Sequence, residues 1–163
     1  DLEYIIIDGG SSDGTLEILD SFEKYIDYRV SEKDNGIYDA LNKGLKVAKG
    51  DIIGFLHADD YFVDDRVLQD VENEFERLKT YIIYGNIRYV KHNAVYRDWK
   101  SNPFDRNAFL NGWMPPHTGM FCRKKVYEIC GDFLTQLKIS ADYEFMLRTM
   151  YFSKIPSAYI DRY

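Results

Sequence analysis

Three times between residues 1 and 80, a short apolar run ends in a polar loop and is followed by a helical repeat. Residues 2–7 read as a strand and residues 8–14 as its loop; Leu16, Leu19, Phe22 and Ile26 then recur at helical spacing. Residues 27–31 read as a second short strand and residues 32–36 as its loop. Ile37, Leu41, Leu45 and Ala48 mark the inner face of a helix closed by Gly50. The third strand covers residues 51–56, and Val67, Val71, Phe75 and Leu78 carry the third helix. A chain that alternates in this way covers its strands with helices. The expected class is α/β, with a mostly parallel central sheet flanked by helices.

After residue 80 the pattern changes. Residues 81–90 and 94–99 have strand-rich composition on either side of His92-Asn93, which predicts a hairpin. Residues 102–116 read as irregular, with many aromatics and prolines. Residues 123–130 predict a short helix ending at Gly131, and residues 140–150 another, with Ser140 as its N-cap. No repeat or linker interrupts the chain, so residues 1–163 are expected to form a single domain: a nucleotide-type half, 1–80, and a second half, 81–163, that completes a cleft. Asp1-Leu2-Glu3 leads at once into the core strand, so an upstream strand and helix (a βα unit) are expected to belong before it.

The net charge of -6 argues against a polyanion such as nucleic acid as partner. Cys122 and Cys130 do not make a disulfide framework, which fits a reducing, cytoplasmic setting. No apolar run approaches the ~20 residues of a membrane span, and no secretory signal opens the sequence.

In open α/β sheets, ligands bind outside the carboxyl ends of the strands. The loops 8–13, 32–36 and 57–60 lie at such ends, and all carry carboxylates or amides. Carboxylates hold a phosphate through a bridging divalent cation. Asp59-Asp60, which ends an apolar strand, therefore reads as a site for Mg²⁺ or Mn²⁺ carrying a diphosphate; a solvated turn into the next helix is the other reading. Asp13-Gly14-Thr15-Leu16 matches the tail of the aspartyl-phosphatase motif D-x-D-G-T-L. Its nucleophile would fall on Ser11, and the covalent chemistry needs a carboxylate there.

Five segments in order resemble family 2 glycosyltransferases of the GT-A fold. Ile6-Ile7-Asp8-Gly9-Gly10-Ser11-Ser12-Asp13-Gly14-Thr15 is similar to the loop after the family's second strand. Residues 31–44 resemble its S-E-x-D-x-G-I-Y-D-A-x-N-x-G segment. Phe55-Leu56-His57-Ala58-Asp59-Asp60 resembles its D-x-D-type metal motif. Residues 112–117 and 139–148 are similar to segments of a bacterial polysaccharide branch that includes colanic-acid and O-antigen transferases.

The resemblance implies a nucleotide-sugar-binding half (1–80) and an acceptor-side half (81–163). Asp8 would contact the base or ribose, with Gly10 in the same loop. Asp34 and Asn42 would shape the nucleotide and sugar pocket. Asp59 and Asp60 would hold the metal, ribose and donor sugar, and Asp142 would be the general base. It also implies an inverting, metal-dependent transfer from a nucleotide-diphosphate sugar to a glycan or lipid-linked glycan in surface-polysaccharide assembly. The setting would be the cytoplasm, with peripheral contact at the inner face of the membrane. Two features depart from the pattern: His57 occupies the first acidic position of the metal motif, and the family's first strand and helix do not precede Asp1.

The residues allow this chemistry. An alcohol becomes a good nucleophile when a positioned carboxylate takes its proton, and Asp142 lies near a helix start where it can face a cleft; capping that helix is its alternative use. Glu144, two residues on, points elsewhere on a helix. His117, held behind Pro115-Pro116, is a candidate contact for acceptor or phosphate, or a structural hydrogen-bond partner. Trp113 and Met114 could wall an acceptor ring or pack in the core. Arg123-Lys124-Lys125 is a small basic run for an anionic membrane surface, or a solvated helix start. Two other functions fit the composition: a nucleotide-sugar pyrophosphorylase, whose Gly-rich, basic phosphate loop is not visible, and a non-catalytic sugar-nucleotide-binding domain.

Overall fold

The computed structural model describes residues 1–163. Strand β1 (Ile5–Asp8) pairs in parallel with β2 (Tyr28–Ser31), with Ile5 opposite Tyr28 and Asp8 opposite Ser31. Helix α1 (Thr15–Ser21) connects them and is continued by a 3₁₀ turn, Glu23–Tyr25. Helix α2 (Ile37–Val47) buries Asn42 and Leu45 one turn apart. Strand β3 (Ile52–Gly54) follows, then α3 (Val67–Leu78), which buries Val71 and Phe75 against Ile83 and Phe121.

The main sheet has the order β3-β7-β4-β8, where β4 is Ile82–Tyr84, β7 is Met120–Arg123 and β8 is Ser157–Tyr159. Strands β3, β4 and β8 share one direction, and β7 runs against its two neighbours. The parallel set expected from the first half is thus split by a strand from the second. Ile82, Ile83 and Tyr84 are fully buried, as a strand covered on both faces must be.

The expected strand 81–90 breaks at Gly85-Asn86. Asn86 fixes the break: its Oδ1 accepts from Ser101 N (2.9 Å) and Tyr159 OH (3.1 Å), and its Nδ2 donates to Asp161 (3.0 Å). Beyond it, β5 (Ile87–Lys91) and β6 (Ala94–Trp99) form the expected hairpin. His92 and Asn93 both have positive φ, as a type I′ turn demands. Residues 102–116, expected to be irregular, contain a short helix, α4 (Arg106–Leu110), capped by Asp105, whose carboxylate accepts from Asn107 N.

Helix α5 (Lys124–Cys130) ends at Gly131 as expected. Helix α6 (Ala141–Met146) is shorter than the expected 140–150 and passes into a π-helical stretch, Leu147–Phe152. Ser140 occupies the N-cap position with φ 71, but its side chain makes no capping hydrogen bond. The larger core joins Leu45, Ala48 and Ile53 to Tyr84, Phe109, Phe133, Phe145 and Met146, so both halves of the chain build it.

Candidate active site

The first two loops meet because β1 and β2 end side by side. Asp8 is buried, and its Oδ2 accepts from Gly10 N (3.0 Å), Ser11 N (3.0 Å) and Ser31 Oγ (2.6 Å); Oδ1 accepts from Ser11 Oγ. These donors, Ser11 foremost, hold its pKa down to about 2. The carboxylate is committed to shaping its own loop and tying it to the end of β2. Asp34, in the next loop, packs on Gly9: a Cβ there would sit 2.5 Å from Asp34 Oδ2. A side chain at position 9 would force the Asp34 carboxylate to move, so the glycine lets the 8–13 and 32–36 loops lie against each other as they do here.

The third loop follows β3. Phe55 turns inward and stacks on His117 (ring centroids 5.6 Å) and edge-on to Phe133 (5.7 Å). His57 faces His117 at 6.1 Å, and the turn closes with Asp60 N donating to His57 O. Asp59 and Asp60 are exposed beyond it. An apolar strand can thus end in two carboxylates because its last aromatic anchors the turn and the acids project outward.

No three His, Cys, Asp or Glu side chains gather into a metal cage. The exposed pair Asp59 and Asp60 nonetheless suits a hard cation that takes one or two carboxylates and completes its shell with phosphate oxygens and water, as Mg²⁺ does.

A cleft of about 220 Å³ lies beside this loop. Asp142, His57, His117, Thr118 and Tyr38 supply its polar groups; Ile37, Leu41, Ile87, Tyr89, Trp99, Met114 and Pro116 line the rest. Asp142 Oδ1 accepts from Tyr38 OH at 3.0 Å, and Oδ2 has no partner within the chain. His117 is buried, and its Nε2 has no hydrogen-bond partner. Burial pulls its pKa down to about 4 against the opposing pull of the Asp142 charge, so the imidazole is neutral at pH 7.

Several expected site residues are employed differently. Asn42 clamps the Phe133 backbone, donating to its carbonyl (2.8 Å) and accepting from its N–H (3.0 Å), so it supports the aromatic floor rather than lining the cleft. Trp113 packs against Phe109 (5.3 Å), Tyr84 and Phe104 in the core, and its neighbour Met114 takes the place at the cleft wall. Glu144 pairs with Arg148, which also donates to the carbonyls of Cys130, Gly131 and Asp132. The basic run is largely tied up: Arg123 donates to Thr80 O, Lys124 to Ala48 O and Lys125 to Glu128. Tyr38, Tyr89, Trp99 and Phe133 are cleft or floor residues that spacing alone did not single out, although Tyr38 lies within the segment 31–44.

No helix is long and apolar enough to cross a membrane. Glycosyl transferase family 2 matches residues 1–142. The chain is 34% identical over 151 residues to an uncharacterized glycosyltransferase of Mycobacterium tuberculosis, covering 90% of this chain and 56% of that protein. It is 39% identical over 79 residues to the putative teichuronic acid biosynthesis glycosyltransferase TuaG of Bacillus subtilis, covering 46% of this chain and 31% of that one. The chain therefore spans about half the length of the first of these relatives and a third of the second. Among solved structures, S. aureus TarS in complex with UDP superposes with a TM-score of 0.76 at 17% identity, over 99% of this chain and 49% of that one. The mannosyltransferase PcManGT of Pyrobaculum calidifontis, in complex with GDP-Man and Mn²⁺, gives 0.71 at 16%, over 98% and 46%. With the GT-A fold of those structures and a family match over most of its length, the chain belongs to glycosyl transferase family 2.

Proposed function

We propose that this chain carries the catalytic centre of an inverting, metal-dependent glycosyltransferase. It moves a sugar from a nucleotide-diphosphate sugar to a hydroxyl of a glycan, free or lipid-linked, in bacterial surface-polysaccharide assembly at the cytoplasmic face of the membrane. The observation that carries the reading is Asp142: a carboxylate on a cleft wall, anchored through Oδ1 and open at Oδ2. TuaG's name supports the polysaccharide setting, and the UDP and GDP-Man complexes of TarS and PcManGT support a nucleotide-sugar donor.

In this reading Asp142 Oδ2 takes the acceptor proton as the new C–O bond forms at the anomeric carbon. The bond from that carbon to the diphosphate oxygen breaks, and its electron pair leaves with the nucleotide. A single displacement inverts the anomeric centre. Asp59 and Asp60 would hold a Mg²⁺ or Mn²⁺ ion, which when bound neutralises charge on the leaving diphosphate. Asp34 and the loop shaped by Asp8 and Gly10 would receive the nucleoside. Neutral His117 offers a hydrogen bond to acceptor or phosphate without adding charge beside the base.

Calorimetric titration with UDP and with GDP, each in Mn²⁺ and in EDTA, tests the donor site. Metal-dependent binding that disappears in the Asp59→Asn/Asp60→Asn variant is expected. Binding that ignores both metal and substitution would remove the assignment.

A further inference from the structure

Asp142 has one hydrogen-bond donor within the chain, and it comes from the other half of the fold. Tyr38 is the second residue of α2, which begins directly after the loop that carries Asp34. Its hydroxyl reaches Asp142 Oδ1 at 3.0 Å across 104 residues of sequence. Asp142 enters no ion pair, so this contact is what fixes its carboxylate plane. The phenol itself is well held. Its ring lies against Phe133 (centroids 5.9 Å, planes at 31°), and Phe133 is clamped at both backbone groups by Asn42. Tyr38 and Asn42 are four residues apart and share one face of α2. One helix face therefore carries both the donor to Asp142 and the clamp on the aromatic that supports that donor.

A carboxylate without a donor can rotate and present either oxygen. A hydrogen bond to one oxygen fixes the plane and leaves the other oxygen free to face an acceptor. Burial and the bond to Asp142 both raise the Tyr38 pKa, so the phenol remains a donor through the working pH range. The other titratable groups on the same cleft are His117, held neutral, His57 and Tyr89.

We propose that Tyr38 is the positioning residue for Asp142, holding Oδ1 so that Oδ2 faces the acceptor. The inference rests on the reading of Asp142 as general base. It makes α2 a mechanical link between the donor-side loop 32–36 and the base on the acceptor side.

The test is Tyr38→Phe, which removes one oxygen and keeps the ring on Phe133. Nucleotide release from UDP-glucose, UDP-N-acetylglucosamine and GDP-mannose is followed with Mn²⁺, beside Asp142→Asn and the parent, with thermal unfolding as a control. The expected result is kcat lowered about 10-fold, donor KM within about twofold and an unchanged melting temperature. A Tyr38→Phe enzyme with the parent's kcat, while Asp142→Asn is inactive, would overturn the Tyr38 role alone. So would a loss explained wholly by a lower melting temperature. Full activity of Asp142→Asn would overturn the base assignment on which the inference rests.

Discussion

Asp8 is held charged by this fold and His117 is held neutral. Asp8 has a folded pKa of about 2 against an ordinary 3.8, through the Ser11, Ser31 and Gly10 donors. Its stabilisation is complete above pH 3.8 and is lost as pH falls toward 2; at 1.36 kcal/mol per pKa unit this is about 2 kcal/mol. His117 has a folded pKa of about 4 against 6.5, through burial. In that window the unfolded chain binds a proton that the folded chain refuses, so stability falls as pH drops from 6.5 toward 4. Urea midpoints measured at pH 7, 5 and 4 should fall steadily for the parent. His117→Phe, which keeps an aromatic against Phe55 and Phe133, should flatten the decline; an unchanged decline would place its source elsewhere. Carboxylates in the loops at strand ends could be picked out of the sequence as candidates, with a solvated turn as the other reading of Asp59-Asp60. Their division of labour could not. Asp8 and Asp59 look alike in a sequence, yet one accepts hydrogen bonds from its own loop and from Ser31 on β2, and the other is exposed.

Among the elements, the β5–β6 hairpin does more than fill space. It places Ile87, Tyr89 and Trp99 on the cleft wall, and the Arg97 guanidinium lies over both rings, 5.2 Å from Tyr89 and 5.9 Å from Trp99. Aromatic faces that bury area at little entropic cost suit an acceptor sugar ring. Trp99→Ala should raise acceptor KM about 10-fold while nucleotide binding by calorimetry stays as in the parent; a matching loss in nucleotide affinity would assign the hairpin to the donor instead. This element was readable because two strand-rich runs flank a polar His92-Asn93 pair. Strands β7 and β8 were not readable. Met120–Arg123 is four residues long and flows into a lysine-bearing helix, and Ser157–Tyr159 has three residues, too few for a period-two pattern to stand out. The transition from α6 into π-helical turns likewise has no periodic signature, since apolar residues continue through it.

Residues from both halves of the sequence share one core and one main sheet. The alternation up to residue 80 correctly predicts α/β layering, but local pattern carries no information about which distant segment fills a gap in the sheet. That gap is filled by β7, so Ile52 pairs with Arg123, and Ile82 on the other side pairs with Cys122. In the main sheet β3 has β7 as its one partner, and the buried face of α3 packs on Ile83 and Phe121. Residues 1–80 alone would therefore keep α3 and β3 but lose the surfaces that bury them. Expressed without residues 81–163, this half should show no cooperative urea transition, because local helices without a shared core are marginal in water. A sigmoidal transition from that fragment would mean that the first half holds its own core and that the interleaved sheet adds little. The milder variant Ile83→Ala in the full chain probes the same junction: cavity formation at this fully buried position should cost about 2–4 kcal/mol, read from the urea midpoint at constant m. Because Asp142 stands on the second half and Tyr38 on the first, loosening that junction should lower kcat before it unfolds the chain, whereas a variant whose rate falls only in step with its unfolded fraction would show that the two halves need not be locked for chemistry.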